Sequence, residues 1–208
     1  NKTNVETVLL SDFGAQTVTL GALSNTAGIV TVNASALTGA NAANINASGR
    51  STAITITTGA GADTIEGGAG GDTLTGGAGA DIYAYSSNTA STATNNASFQ
   101  GDVISGFDFN SADQFNIGAP GNANTATLAT AEFLTLATDL EAANAELDAN
   151  MDGVGQDAVL LTISGGAAAG TYLVVDWDQS GSFEAANDLV IRLTGTLNQG
   201  SFDAADFV

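Results

Sequence analysis

The chain has 208 residues, with three Lys plus Arg against 22 Asp plus Glu and a formal charge of −19. That balance excludes nucleic acid and anionic membrane surfaces as partners, since both demand a positive footprint that Lys2, Arg50 and Arg192 cannot supply. The absence of Cys and His removes disulfides, thiolate metal sites, HExxH and every Ser-His-Asp or Cys-His set, so no enzyme is expected, and no run of about 18 apolar residues is present to span a bilayer.

Residues 1–57 contain VETVLL, TVTL, IVTVN, ANINAS and AITIT, short β-branched runs broken by Gly, Asn and Ser at the spacing of solenoid rungs. The chain opens at Asn1 without a basic and apolar leader, and it is expected to be a fragment of a longer protein. A shift of nine residues then aligns TGAGADTIE (58–66), GGAGGDTLT (67–75) and GGAGADIYA (76–84). Asp63, Asp72 and Asp81 fall in register, as do Ile65, Leu74 and Tyr83. Glycines ahead of each Asp permit positive φ and close backbone approach, which a turn needs if its carbonyls are to converge. Six residues make the turn, and three with one large apolar residue in the middle make a minimal strand. Two nonapeptides complete one coil, so residues two repeats apart stack at about 4.8 Å and turns 58–63 and 76–81 become neighbours on one edge. Stacked carboxylates repel unless a cation sits between them, and Ca²⁺ accepts six to eight oxygens. A flexible linker would not place an apolar residue two positions after every Asp, and a phosphate-cradling loop would not end on Asp without a Lys.

This pattern, G-G-x-G-x-D-x-U-x with Thr58 as the one departure from Gly, resembles the calcium-binding nonapeptide of the RTX (repeats-in-toxin) family. The resemblance implies a parallel β-roll and one complete Ca²⁺ site, with Gly59, Gly61 and Asp63 from the upper turn and Gly76, Ala78 and Asp81 from the lower. Further sites would draw on Gly67, Gly68, Ala69, Gly70, Asp72, Gly77 and Gly79 together with loops outside the repeat. It also implies export by the type I secretion machinery, with the chain unfolded in a low-calcium cytoplasm and folded outside.

Residues 86–98 (SSNTASTATNNAS) read as an exposed loop. The stretch GDVISGFDFNSADQFNI (101–117) resembles the segment that closes an RTX roll, with Ile104, Phe107, Phe109 and Phe115 covering the open end of the core. Asp102 is expected to complete a calcium site, on an edge that the preceding insertion hides. Asp108 and Asp113 are open between ligands and solvated turn residues, and Asp81 is expected to matter more than Asp113. Phe133, Leu136, Ala137, Leu140, Ala143 and Leu147 predict an amphipathic helix over 128–148. At its end, Asp148, Asn150, Asp152 and Gly153 match the first half of an EF-hand loop, but Val159 stands where the bidentate Glu belongs; a polar turn is the alternative. In DWDQSGSFEAAND (176–188), Asp176, Asp178, Ser180 and Gly181 fill positions one, three, five and six, and the backbone of Ser182 supplies seven. Asn187 is at twelve with Asp188 one place on, so a second calcium site with an altered closure is expected between the strands TYLVV and LVIRL. Residues 170–193 resemble the end of RTX secretion domains, and Asp206, Phe207 and Val208 resemble the uncleaved C-terminal signal of type I substrates.

The expected fold is all-β dominated: a parallel β-roll or β-solenoid with calcium-binding turns, then a small C-terminal cap with one helix and antiparallel strands. Residues 1–57 would be degenerate rungs, 58–118 the calcium-binding roll with its closing segment, and 119–208 the cap and secretion-signal region. The Thr, Ala, Asn and Gly-rich composition and the stretch TVNASALTG (31–39) resemble bacterial surface-layer proteins. A calcium-dependent structural domain of a secreted, self-associating or cell-surface protein is therefore expected. The C-terminal domain of a secreted protease or lipase, or of an adhesin, remains the alternative.

Overall fold

The computed structural model describes residues 6–88, 101–118, 133–136, 147, 158–163, 169–184 and 186–208. Most of the expected 86–98 loop, most of the predicted 128–148 helix and all of the half EF-hand turn at 148–153 lie outside them.

Strand formation follows the sequence at its shortest range. In β5 (Thr55–Thr57), β6 (Thr64–Glu66) and β7 (Thr73–Thr75), a β-branched or leucine residue sits mid-strand and is buried. Its neighbours point the other way, as the two-residue period of a strand requires. The same alternation extends upstream through β3 (Thr31–Asn33) and β4 (Ala43–Asn46), where Val32 and Ile45 are buried, and through β1 (Thr7–Leu9) and β2 (Gln16–Thr19), where Val8 and Val18 are only half-buried. Downstream it continues through β8 (Ile82–Tyr85), β9 (Val103–Ser105) and β10 (Gln114–Ile117).

Consecutive strands alternate between two sheets. The odd strands β1, β3, β5, β7 and β9 pair in parallel in one, and β2, β4, β6, β8 and β10 pair in parallel in the other. The parallel stacking agrees with the expected β-roll. Thr55 pairs with Thr73 and Thr64 with Ile82, so the repeat stacks with itself every two nonapeptides. One column of core side chains runs Val32, Ile56, Leu74, Ile104, Leu193, and the opposing column runs Ile45, Ile65, Tyr83, Phe115. All nine are at most 2 % exposed. Each change of sheet makes a turn, which leaves two edges. The first edge carries turns 10–15, 34–42, 58–63, 76–81 and 106–113; the second carries 20–30, 47–54 and 67–72, with the described residues 86–88 and 101–102 next to β8 and β9.

The C-terminal region extends the larger sheet. β14 (Leu189–Thr194) lies parallel to β9, and β13 (Gly170–Val175) and β12 (Ala158–Ile163) follow in antiparallel order. Antiparallel strands were expected here, but the helix needs correction. Phe133–Leu136 is a strand, β11, parallel to β12. Apolar residues at 133, 134 and 136 suit either period over so short a run, and the unpaired edge of β12 offers backbone partners that a helix could not use. Leu147 is helical and buried. The helix whose full extent is described is α1 (Leu23–Ala27), in the turn between β2 and β3, ended by Gly28 in the left-handed conformation at φ 78°. Among the described residues no helix is long and apolar enough to cross a membrane.

Phe107, Phe109 and Phe115 close the core as expected, with Phe107 stacked on Phe115 at 4.5 Å between ring centres. Two residues outside the expected set join them. Phe202 packs edge-on against Phe109 at 5.2 Å, and Phe207 forms a parallel bridge to Phe115, adding one more layer to the column of the smaller sheet.

Candidate metal centre

Each turn of the repeat ends on an Asp immediately before a strand, and the parallel register places that Asp one layer beneath its counterpart. On the first edge Asp63 Oδ1 accepts from the Ala43 N–H at 2.6 Å. Asp81 Oδ1 accepts from Asp63 N–H at 2.9 Å, and Asp113 Oδ1 from Asp81 N–H at 3.0 Å. On the second edge Asp72 Oδ1 accepts from Ile54 N–H and Asp102 Oδ1 from Asp72 N–H, both at 2.8 Å. Backbone N–H groups at a turn must find acceptors when buried, and the carboxylates supply them rung by rung.

One oxygen of each carboxylate is thus committed to the fold. The other oxygen of Asp63 also accepts, from Gly59 N–H at 3.1 Å within its own turn. Asp72 Oδ2 and Asp81 Oδ2 are buried with no hydrogen-bond partner, and both residues are 1 % exposed. Asp72 Oδ2 lies where a side chain on Gly67 would be, and Asp81 Oδ2 where one on Gly76 would be, so each oxygen fills the mouth of its own turn. Burial pushes both carboxyls up to about 6. In Asp81 the charges of Asp113 and Asp63 push the same way, whereas the Asp63 N–H opposes them. A buried carboxylate oxygen without a donor is costly unless a cation meets it.

The predicted pairing of turns is present. Ala78 N–H donates to the Gly59 carbonyl at 3.0 Å, and the Thr58 hydroxyl donates to the Gly76 carbonyl at 2.5 Å. Gly77 sits at φ 100°, and a Cβ there would run into the Gly59 carbonyl; Gly79 stands in the same relation to Gly61. On the second edge Gly68 and Gly70 lie against the backbone of 47–53, and Ala69 N–H donates to the Arg50 carbonyl at 2.9 Å. One difference among the repeats was not legible. Gly77 and Gly68 take left-handed φ, but Gly59 and Gly61 do not. The first repeat turn packs against the wider turn 34–42, where a Cβ on Gly61 would come 2.5 Å from the Asn41 carbonyl.

Asp102, whose edge the sequence left open, belongs to the second edge beneath Asp72 and is fully buried. Burial, then the Asp72 charge, raises its carboxyl well above the usual range, and the buried Tyr85 hydroxyl beside it is raised as well. Asp113 needs revision: it is 6 % exposed and part of the first-edge ladder, not a turn residue that water reaches. The signal was present, because Asp113 precedes Phe115 by the offset that separates Asp63 from Ile65 and Asp81 from Tyr83. Asp108 is a turn residue, accepting from Asn110 N–H and from Asn198 Nδ2, and these bonds hold its carboxyl below the usual range.

The 176–188 loop forms a second centre. Carboxylate oxygens of Asp176, Asp178 and Asp188 lie within 4.8 Å of one another. Asp176 accepts from Ser180 N–H at 3.1 Å and Gly181 N–H at 2.9 Å, which wraps the loop around the first carboxylate. Asp188 closes it, accepting from Trp177 N–H at 3.0 Å and Glu184 N–H at 2.7 Å. Burial, then the two neighbouring carboxylates, pushes Asp188 up to about 7. Sequence reasoning missed Glu184, which accepts from the Ser180 and Ser182 hydroxyls at 3.0 and 3.2 Å and occupies position nine of the loop. Both centres offer only oxygen, from carboxylates, carbonyls and hydroxyls. That donor set fits a hard divalent cation of the size of Ca²⁺ rather than a soft metal.

Parallel three-residue strands joined by glycine turns that each end in a buried carboxylate define a calcium-type repeat protein. Residues 55–84 match the family model for the RTX calcium-binding nonapeptide repeat (4 copies), which supports the RTX family for this chain. Repeats of this kind mark a calcium-binding domain of a secreted protein. No curated protein matches the chain closely enough to count as a relative.

Proposed function

We propose that this chain is a non-enzymatic, calcium-dependent structural domain of an extracellular bacterial surface protein. It is exported by type I secretion with its repeat rungs unfolded, these fold on calcium outside, and the domain assembles at the cell surface with copies of itself. The observation that carries the calcium step is the pair of buried oxygens, Asp72 Oδ2 and Asp81 Oδ2, held without donors inside glycine-lined turns. Gly59, Gly61, Asp63, Gly76, Ala78 and Asp81 would hold one ion, turn 67–72 with Asp102 another, and Asp176, Asp178, Ser180, Ser182 and Asp188 a third. Calcium at ten times its dissociation constant adds about 1.4 kcal/mol per site, and extracellular modules bind at roughly 10⁻⁴ to 10⁻³ M. For the repeat rungs, binding and folding are then one event.

The self-assembly step is supported by the charge distribution. Between residues 15 and 57 Arg50 is the only charged side chain, and it is buried, so the outward Thr, Asn and Ala faces are neutral while the acidic groups lie elsewhere. Phe207 docks on Phe115, so a C-terminal export signal comprising Asp206, Phe207 and Val208 would have to be read before folding. Light scattering of the protein as calcium rises from micromolar to millimolar tests the proposal. Sheets or filaments support it; a compact monomer throughout would favour the RTX domain of a secreted protease, lipase or adhesin.

A further inference from the structure

We infer that Arg50 is a built-in cation that clamps the first two turns of the second edge, so that β2 to β5 fold without calcium and form the platform on which the calcium-dependent rungs stack. The inference rests on the reading that the repeat turns take calcium, and it sets a boundary to that reading.

Turn 47–54 lies directly above the Asp72 turn. The pairing of Thr55 with Thr73 puts Ile54 where Asp72 stands one layer later, so this turn has no carboxylate with which to hold an ion. It has a guanidinium instead. Arg50 is 2 % exposed, and oxygens ring its head: Nη1 donates to Ser24 Oγ at 2.6 Å, and Nη2 to the Ile29 carbonyl at 2.8 Å. Nη2 also reaches Thr52 Oγ1 at 3.0 Å and the Thr52 carbonyl at 3.4 Å. Ser24 and Ile29 belong to turn 20–30 and Thr52 to turn 47–54. One buried positive charge therefore gathers oxygens from two consecutive turns, which is the task proposed for calcium between the later ones.

A planar guanidinium suits this role, because its donors are fixed in a fork and its charge persists at any physiological pH. Burying it costs solvation, and the neighbouring charge of Asp72 offsets part of that cost. The Arg50 backbone carries the connection downward, since its carbonyl accepts from Ala69 N–H in the turn that ends in Asp72. Neutral contacts reinforce the clamp: Asn25 Nδ2 donates to Ser51 Oγ at 3.1 Å, and Thr52 Oγ1 to Asn25 Oδ1 at 2.9 Å. The first edge is joined without an ion too. Asp12 of turn 10–15 accepts from Thr38 Oγ1 and from Asn41 Nδ2 of turn 34–42.

Hydrogen exchange of the full chain in excess EGTA, read by mass spectrometry, tests the boundary. Peptides over 16–19, 31–33, 43–46 and 55–57 are expected to be protected, and those over 64–66, 73–75 and 82–85 to exchange freely. Arg50→Met keeps the aliphatic stem but loses the charge and donors, and should speed exchange of 16–57 about a hundredfold or more. Arg50→Lys restores the charge and should lose at most about tenfold. Unprotected 16–57 in the wild type, wild-type protection in Arg50→Met, or equal damage in Arg50→Lys and Arg50→Met would each overturn the inference. Should Arg50→Met fail to fold even in calcium, Ser24→Ala gives the graded test: exchange of 16–57 about tenfold faster is expected, and unchanged exchange overturns the clamp. If 64–85 stays protected in EGTA, the calcium reading fails, while the response of 16–57 to Arg50→Met still judges Arg50.

Discussion

Rungs 6–57 and rungs 58–117 share one architecture and are held together by different chemistry. The first set carries Glu6, Asp12 and Arg50 as its only charged side chains; the second carries Asp63, Glu66, Asp72, Asp81, Asp102, Asp108 and Asp113 with no basic residue. Upstream, side chains cross-link successive turns directly, through Asp12 to Thr38 and Asn41 and through Arg50 to Ser24 and the Ile29 carbonyl. Downstream, carboxylates cap the backbone of the layer above, and those of Asp72 and Asp81 keep an oxygen in reserve. A parallel coil thus tolerates either kind of glue, provided that each turn satisfies its buried backbone and that charge balances locally.

Calcium removal should break the comparison most visibly. In excess EGTA the far-ultraviolet circular dichroism is expected to lose most of the β signal of the second set and to keep that of the first; a spectrum unchanged from the calcium form would remove the distinction.

Substitution of Asp81 comes next. Asp81→Ala leaves the Asp63 N–H without its acceptor, at about 1–3 kcal/mol, in addition to losing a ligand. Asp81→Asn keeps an oxygen for that N–H and loses the charge. Both should raise the calcium midpoint, Asp81→Ala more so, and Asp113→Ala should behave like Asp81→Ala because it orphans the Asp81 N–H. Equal midpoints for Asp81→Ala and Asp81→Asn would show that the ladder bond adds nothing.

Gly77→Ala should cost about 1–3 kcal/mol by driving a methyl into the Gly59 carbonyl, on top of the left-handed strain. Gly39→Ala, in the wide upstream turn at φ 63° with open space around it, should cost only about 1 kcal/mol. Denaturant melts in saturating calcium give both figures, and a Gly39→Ala as costly as Gly77→Ala would contradict the difference in turn packing.

The smallest effects concern the second centre and pH. Trp177, 4 % exposed and bonded through its backbone N–H to Asp188, should report calcium at the 176–188 loop by its emission, and Asp188→Asn should weaken that response while leaving the circular dichroism transition of the roll in place. Asp72 and Asp81 are raised from 3.8 to about 6 in the fold, so the ion-free fold holds their protons more tightly than the unfolded chain does. Its stability is therefore greatest below about pH 4 and is lost as pH rises through about 6. Acidification from pH 7 to 5 in EGTA should restore β structure to the second set, and in calcium the same change should raise the midpoint. An EGTA spectrum that does not change between pH 7 and 5 would mean that these carboxyls are not forced together in the ion-free chain.

The short-range pattern by itself determined the repeat, the inward residue of each three-residue strand and the pairing of turns two repeats apart. A period of nine with one glycine turn and one apolar residue leaves a parallel stack as the way to bury that residue. The offset of two from Asp to the core residue marks Asp102, ahead of Ile104, and Asp113, ahead of Phe115, alike. The edge on which Asp102 falls was decided only in three dimensions, because the insertion before it breaks the period. Tertiary structure likewise made Phe133–Leu136 a strand, since what chose between two compatible periods was the open edge of β12. It also turned Arg50 inward: nothing in SGRST announces a buried cation, and the oxygens that hold it come from Ser24 and Ile29, more than 20 positions away in the chain.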